Sequence, residues 1–214
     1  MLKPWTTRFL ELAHEREALR FGRFTLKSGR ESPYFFNAGE FSSGAAIDAL
    51  SRCYADAIVD AGIEFGMLFG PAYKGIPLAT AVALSLSRDH GIDVPFAYNR
   101  KEAKDHGEGG TLVGAALTGR VLIVDDVISA GTSIGEALEI IAEAGAEAAG
   151  VAIALDRQER GSEDERSAVQ VVESRGLQVV SIASLRDLIE WLESHDRPPA
   201  SLDKVIAYQQ HYGA

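Results

Sequence analysis

The sequence predicts an α/β fold with a mostly parallel central sheet flanked by helices. Three observations lead there. Apolar runs at 65–69, 121–124 and 150–155 carry no polar break, as strands do when a sheet is covered on both faces. Helix-period segments follow two of them, at 76–88 and 134–144, and strands alternating with helices build parallel βαβ units. Between strand and helix lie short loops of glycine, small residues, hydroxyls and charges. In such sheets these loops sit at the carboxyl ends of the strands, where ligands bind.

Composition narrows the class. The 214 residues suffice for one sizeable core, and no repeat or long linker divides them. A single domain over 1–214 is expected. The net charge of −10 argues against a generic nucleic-acid or anionic-membrane binder. No apolar run reaches membrane-spanning length, and the first residues lack a signal-peptide core. Cys53 is the only cysteine, so no internal disulfide can form. A cytoplasmic protein is expected. Five scattered histidines and one thiol argue against tetrahedral zinc.

In chain order, Thr6 or Thr7 is read as the cap of a first helix reaching about Arg20, with Phe9, Leu12, Arg16 and Leu19 at helical spacing. His14 is expected in solvent. Region 22–41 changes period. Phe24 and Leu26 alternate with polar neighbours, 27–30 turns, and 32–37 returns as a second short strand. This pair forms a flap over about 20–42. Phe35 and Phe36 point to opposite sides of their strand. They serve either as packing or as a platform for a flat ring, with Lys27 nearby for an anion. Region 44–61 is an amphipathic helix with Ile47, Leu50, Tyr54, Ala57 and Ile58 on one stripe and Gly62 as its stop. Cys53 borders that stripe as a buried thiol.

The strand at 65–69 runs into Gly70-Pro71-Ala72-Tyr73-Lys74-Gly75 and then a helix. Lys74 is thereby placed on the ligand side of the sheet. A third strand at 94–99 leads into 100–110, which has no apolar residue larger than alanine and three glycines. It reads as a hydrophilic hairpin tip or as a mobile cationic lid, over about 100–111, that could close on a polyphosphate. Arg100, Lys101, Lys104 and His106 fall within it. Residues 111–113 and Leu117 are expected to pair across 118–119 on the way to the central strand. Strands at 150–155 and 177–182 follow, with a charged loop at 158–166 between them. Helices at 185–193 and 202–212 close the chain. His195 and His211 are expected at the surface.

The run 121–133 concentrates the chemistry. Four apolar residues end in Asp125-Asp126, then Val127, Ile128, Ser129, Ala130, Gly131, Thr132 and Ser133 open a helix. Free amides at a helix N-terminus favour an anion, typically phosphate. Small residues allow close backbone approach. Two carboxylates suit hydroxyl donors or Mg²⁺ instead. A ligand with both a phosphate and a ribose diol fits the combination. The other phosphate-loop patterns, G-x-x-x-x-G-K-[ST] and G-x-G-x-x-G between strand and helix, are absent.

That run resembles the phosphoribosyl-pyrophosphate signature of the type I phosphoribosyltransferases. Further stretches are similar to their orotate-specific bacterial members: 24–30, 32–37, 69–75, 99–109 and 155–161, in order along nearly the whole chain. The resemblance implies the type I phosphoribosyltransferase fold with a small N-terminal flap or hood. It implies transfer of ribose 5-phosphate from phosphoribosyl pyrophosphate to N1 of orotate, with Mg²⁺ held mainly by substrate. On it, Asp125 and Asp126 hold the ribose hydroxyls, Ser129 to Ser133 cradle the 5′-phosphate, and Val127 and Ile128 belong to the same phosphoribosyl-pyrophosphate site. Lys27, Tyr73, Lys74 and Arg100 line the pyrophosphate side. Phe35, Phe36, Ser129 and Arg157 meet orotate. The loop with Lys101, Lys104 and His106 stabilises the leaving group and closes over a neighbouring subunit of a homodimer. Ser129 departs from the pattern, standing where threonine is usual. Rival readings are a phosphorylatable receiver domain, a non-catalytic phosphoribosyl-pyrophosphate-binding regulator, and a purine or uracil phosphoribosyltransferase. The first leaves the initial 120 residues unexplained. A regulator has no need of a lid, and Arg157 suits an anionic base.

Overall fold

The computed structural model describes residues 1–26, 28–104, 110–128, 132–161, 165–194 and 199–214. Side chains are not described at 101–104, 110, 132, 199 and 200. The main sheet has six strands: β3 (Met67–Gly70), β4 (Phe96–Lys104), β5 (Gly110–Gly114), β6 (Arg120–Val124), β7 (Glu147–Asp156) and β8 (Gln178–Ser184). Their spatial order is β5-β4-β3-β6-β7-β8. All neighbours are parallel except β4 and β5. A two-stranded antiparallel flap, β1 (Leu19–Thr25) with β2 (Glu31–Phe36), stands apart from it.

Both faces of the sheet are buried, as the unbroken apolar runs predict. Leu122 and Val124 join one core cluster while Val121 and Ile123 join the other. This is the period-2 alternation of a strand. The first cluster packs beneath α1 (Pro4–Glu15), α2 (Gly44–Ala61), α3 (Gly75–His90), α6 (Leu185–Ser194) and α7 (Pro199–Tyr212). The second lies beneath α4 (Thr132–Glu143) and the short α5 (Ala168–Glu173). Among the described residues no helix is long and apolar enough to cross a membrane.

The connections place the site. From β3 the chain crosses through α3 to β4 on one side. From β6 it crosses through α4 to β7 on the other. The strand order therefore reverses between β3 and β6, which are neighbours. The crevice at that switch point is where open α/β sheets take ligands. The loop 71–74 and the segment that begins at Asp125 leave those two strand ends.

Several expectations change. Helix α1 begins at Pro4, because proline at the first helical position is pre-set for the turn and Lys3 precedes it with no side-chain cap. Thr6 instead donates its hydroxyl to the Ile182 carbonyl at 2.7 Å, tying α1 to the edge strand β8. The helix stops at Glu15. Glu17, at a φ of 57°, turns the chain, so Leu19 opens β1 rather than extending the helix. His14 is partly buried, its ring 5.9 Å from that of Trp191 and its Nδ1 without a hydrogen-bond partner. Residues 111–113 pair with β4, not toward β6.

The strand β4 runs on to Lys104, opposite Gly110, through residues read as loop. Beyond Tyr98 it has only β5 beside it, since β3 pairs no further. A two-stranded extension has no core to face, so polar residues are admissible there. Helix α5 went unread, although Ser167 and Gln170 form a capping box at its start. Cys53 is buried as expected, and burial pushes its thiol up to about 11. His211 is exposed; His195 lies outside the described residues.

Replacing Thr6 by valine keeps the shape and removes one buried hydrogen bond. A loss of about 1–2 kcal/mol is expected. Differential scanning calorimetry should show the thermal midpoint falling by roughly 2–4 °C for each kcal/mol lost.

Candidate active site

Two carboxylates follow β6, and both are 7% exposed. Main-chain bonds fix them by continuing the sheet ladder past the strand end. The Asp125 amide donates to Ala152 at 3.0 Å, and the Ala154 amide donates to the Asp126 carbonyl at 2.9 Å. The Tyr54 hydroxyl, arriving from α2, donates to the Asp125 carbonyl at 2.7 Å. The Asp125 carboxylate accepts the Asp126 amide at 2.9 Å.

Two adjacent buried acids cannot both ionise freely. Burial, then the neighbouring Asp126 charge, raises the Asp125 pKa to about 7; the Asp126 amide and the Ser133 hydroxyl pull the other way. Burial also raises the Tyr54 hydroxyl well above its ordinary value, assisted by the Asp126 and Asp125 charges. The Asp126 carboxylate has a cation. Lys74 Nζ lies 2.6 Å from its Oδ2, a charge-assisted bond across the switch point.

Lys74 is delivered by close backbone packing. A Cβ on Gly70 would lie 2.1 Å from the Gly75 carbonyl oxygen; one on Gly75 would lie 2.9 Å from that of Val124. Only glycine lets the end of β3, the start of α3 and the end of β6 approach so closely. Asn99 of β4 accepts the Ala72 amide at 2.9 Å, and the Ala72–Tyr73 peptide is cis. The Tyr73 side chain is exposed. Val127 and Ile128 are partly buried and pack on opposite faces of the sheet.

Arg157 follows the last residue of β7, one strand over. It pairs with Glu159 and lies against the Tyr34 ring of the flap. Burial opposes its charge, but the neighbouring Tyr34 and Glu159 outweigh that and its pKa is raised. Phe35 and Phe36 diverge as expected. Phe35 stacks on Phe24 at 5.5 Å with Arg20 above both rings. Phe36 meets Phe9 edge-on at 5.9 Å and Phe41 at 6.4 Å. Arg100 is partly buried in β4.

The structure thus brings Lys74, Asp125, Asp126 and Ser133 together, with Arg157 at the adjacent strand end. Lys27, His106, Ser129, Ala130 and Gly131 lie outside the described residues, as do the side chains of Lys101, Lys104 and Thr132. Sequence reasoning missed Tyr54, Asn99 and Tyr34. A tyrosine in a core stripe was the available signal, since a buried hydroxyl usually finds a partner.

A strand-borne acid pair at the switch point, answered by a lysine on the opposing loop and a helix N-terminus, defines a type I phosphoribosyltransferase. The phosphoribosyl transferase domain family matches residues 40–187. The orotate phosphoribosyltransferase of Thioalkalivibrio sulfidiphilus is 60% identical over 99% of this chain and 100% of that one. The crystal structure of orotate phosphoribosyltransferase from Francisella tularensis superposes with a TM-score of 0.88 at 38% identity, over 96% of this chain and 99% of that one. The Mycobacterium tuberculosis orotate phosphoribosyltransferase in complex with 5-phospho-α-D-ribosyl 1-diphosphate gives a TM-score of 0.64 at 26% identity, over 86% and 99%. The chain belongs to the orotate phosphoribosyltransferase family, glycosyltransferases of pyrimidine biosynthesis.

The raised Asp125 pKa sets the sign of a stability test. Between its ordinary value of 3.8 and about 7 the folded chain holds a proton that the unfolded chain has released. Stability therefore falls as pH rises through that window, and the cost is complete above it. Asp125→Asn should unfold at a higher temperature than the parent at pH 8, by roughly 2–4 °C per kcal/mol recovered. The advantage should vanish toward pH 4. Equal midpoints at both pH values would contradict the assignment.

Proposed function

We propose that this protein transfers the ribose 5-phosphate of phosphoribosyl pyrophosphate to N1 of orotate, giving orotidine 5′-phosphate and diphosphate. The observation that carries the mechanism is the Lys74–Asp126 pair at 2.6 Å across the two loops of the switch point. The pair is a pre-assembled exchange. The sugar diol takes the carboxylates of Asp125 and Asp126, and the pyrophosphate takes Lys74, so the cation trades one anion for another. Neither charge is left unpaired when substrate binds.

The remaining roles follow the strand ends. The 5′-phosphate is assigned to residues 129–133, with Val127 and Ile128 beside them, at the start of α4, whose first-turn amides have no intrahelical partners. Ser133 and Thr132 add hydroxyls, and Ser129, Ala130 and Gly131 leave room for close approach. Tyr73, Lys27 and Arg100 border the pyrophosphate. Orotate lies between the flap, where Phe35 and Phe36 meet the ring, and Arg157, which answers its carboxylate. The reaction needs no covalent enzyme intermediate. Catalysis rests on alignment and on charge stabilisation of the departing diphosphate. Lys101, Lys104 and His106 supply that stabilisation from the β4–β5 hairpin, reaching the site of a second copy in a homodimer.

Mg²⁺ is the cofactor of this reading. Among the described residues no group of three or more His, Cys, Asp or Glu could hold a metal ion. In this reading the cation is held mainly by substrate oxygens, as hard divalent cations at phosphate sites commonly are. When bound, it neutralises charge on the diphosphate. The protein works in the cytoplasm, on small molecules, without nucleic acid or membrane.

The test follows loss of orotate absorbance with phosphoribosyl pyrophosphate and Mg²⁺, with adenine, hypoxanthine and uracil as alternative bases. Orotate alone should be consumed, and Lys104→Ala should slow turnover by about 10²–10³, the scale of losing one charge-stabilising group. Tight binding of the sugar pyrophosphate without turnover would leave a regulator. Mixing inactive Lys104→Ala and Asp125→Asn subunits should restore about a quarter of parental activity if loops are exchanged in a dimer. No restoration would place the loop over its own subunit.

A further inference from the structure

Arg157 stands where three parts of the chain meet, and its orientation is fixed from all of them. Its guanidinium carbon lies 4.8 Å from the centre of the Tyr34 ring, which comes from the flap. Its Nε donates to Glu159 Oε1 at 2.8 Å, and its Nη2 lies 2.6 Å from the same oxygen. The Tyr34 hydroxyl donates to that oxygen too, at 3.3 Å. One face of the guanidinium is thus covered by a ring and one edge is turned to a carboxylate. Nη1 takes no part in the contacts with Glu159.

The third part is the end of the chain. Tyr208 of α7 meets the Tyr34 ring edge-on at 6.0 Å, and its buried hydroxyl faces Glu159 and Arg157. Tyr212 accepts the Arg160 amide at 2.9 Å, and the Ala214 amide donates to Gln158 at 3.0 Å. Arg30 donates to the Arg160 and Gly161 carbonyls at 2.7 and 2.8 Å while its guanidinium lies 5.0 Å from the Tyr212 ring centre. Gln158 has a φ of 50°, a left-handed conformation. Such backbone persists where its surroundings over-determine it. Here they do: its amide bonds Asp156 at 2.9 Å and its side chain accepts the Arg186 amide at 3.0 Å.

We propose that Glu159, Tyr34 and Tyr208 are positioning residues of the base site, which hold Arg157 so that Nη1 meets the carboxylate of a pyrimidine acid. The carboxy-terminal helix is then a working wall of that site. A guanidinium alone is a strong but loosely aimed cation. Held by a carboxylate on one edge and a ring on one face, it offers a single approach, and a flat acid bound there has a fixed orientation. The proposal rests on the reading of Arg157 as the orotate-binding cation.

The experiment compares Glu159→Gln, Tyr208→Phe, Arg157→Ala and the Glu159→Gln/Arg157→Ala double variant in the full chain, by steady-state kinetics varying each substrate separately. Arg157→Ala should raise the KM for orotate. Glu159→Gln should raise it on the order of tenfold, one charge-assisted contact, with the KM for phosphoribosyl pyrophosphate within about twofold. Tyr208→Phe, which keeps the ring, should shift the same constant in the same direction by less. The double variant should be no worse than Arg157→Ala alone. An unchanged or lowered orotate KM in Glu159→Gln, with Arg157→Ala still impaired, would overturn the positioning role. Equal shifts in both KM values, adding to those of Arg157→Ala, would also overturn it, in favour of a structural role. An unimpaired Arg157→Ala would instead remove the base-site reading beneath it.

Discussion

The arrangement depends on two buried carboxylates placed side by side at the end of one strand. Leaving charge at Asp125 and Asp126, both 7% exposed, is unfavourable unless something answers it. Each feature of the crevice is such an answer. Lys74 neutralises Asp126, the Asp126 amide and Ser133 stabilise Asp125, and the sheet ladder holds both backbones rigid. Lys74 reaches its partner only because Gly70 and Gly75 let three chain segments touch. The acid pair, the glycines and the reversal of strand order are one constraint expressed at three levels.

This explains why an acidic chain can serve a polyanionic substrate. The overall charge of −10 opposes the approach of a sugar pyrophosphate. The local field at the switch point does not follow the average. The lysine there is half exposed and already paired with Asp126, so in the proposed reading an exchange of partners replaces capture of a free ion. Net charge narrowed the classes of partner to expect, and local placement pointed among those that remained.

How much could be read from the sequence followed the physics of each element. Strands buried on both faces have no polar alternation, so 121–124 and 150–155 were legible, and so was α2 with its Gly62 stop at a φ of 64°. The start of α1 was misread because Pro4 outweighs a threonine cap two residues on. The extension of β4 was misread because strand residues without a core look like loop. Lys74, Asp125 and Asp126 were legible as neighbours because strand-to-loop junctions gather at the switch point of the sheet. Tyr54 and Asn99 were not. Their roles are single hydrogen bonds to backbone 71 and 27 residues away, and no local pattern encodes such a bond.

The flap poses the same problem in a second form. A two-stranded ribbon is marginal by itself, and β1 with β2 must borrow its stability. It does so on two sides. Phe36 docks against Phe9 and Phe41, and Tyr34 docks against Arg157 and Tyr208. Alternation along β2 separates these duties, sending Tyr34 and Phe36 inward while Phe35 stacks outward on Phe24. The inward contacts are therefore what hold the flap over the end of β7. In the proposed reading, a wall of the base site held by the residues lining it cannot loosen without disturbing the cation it covers. That coupling makes the flap, the Arg157 loop and the chain end one mechanical unit, although they are far apart in sequence.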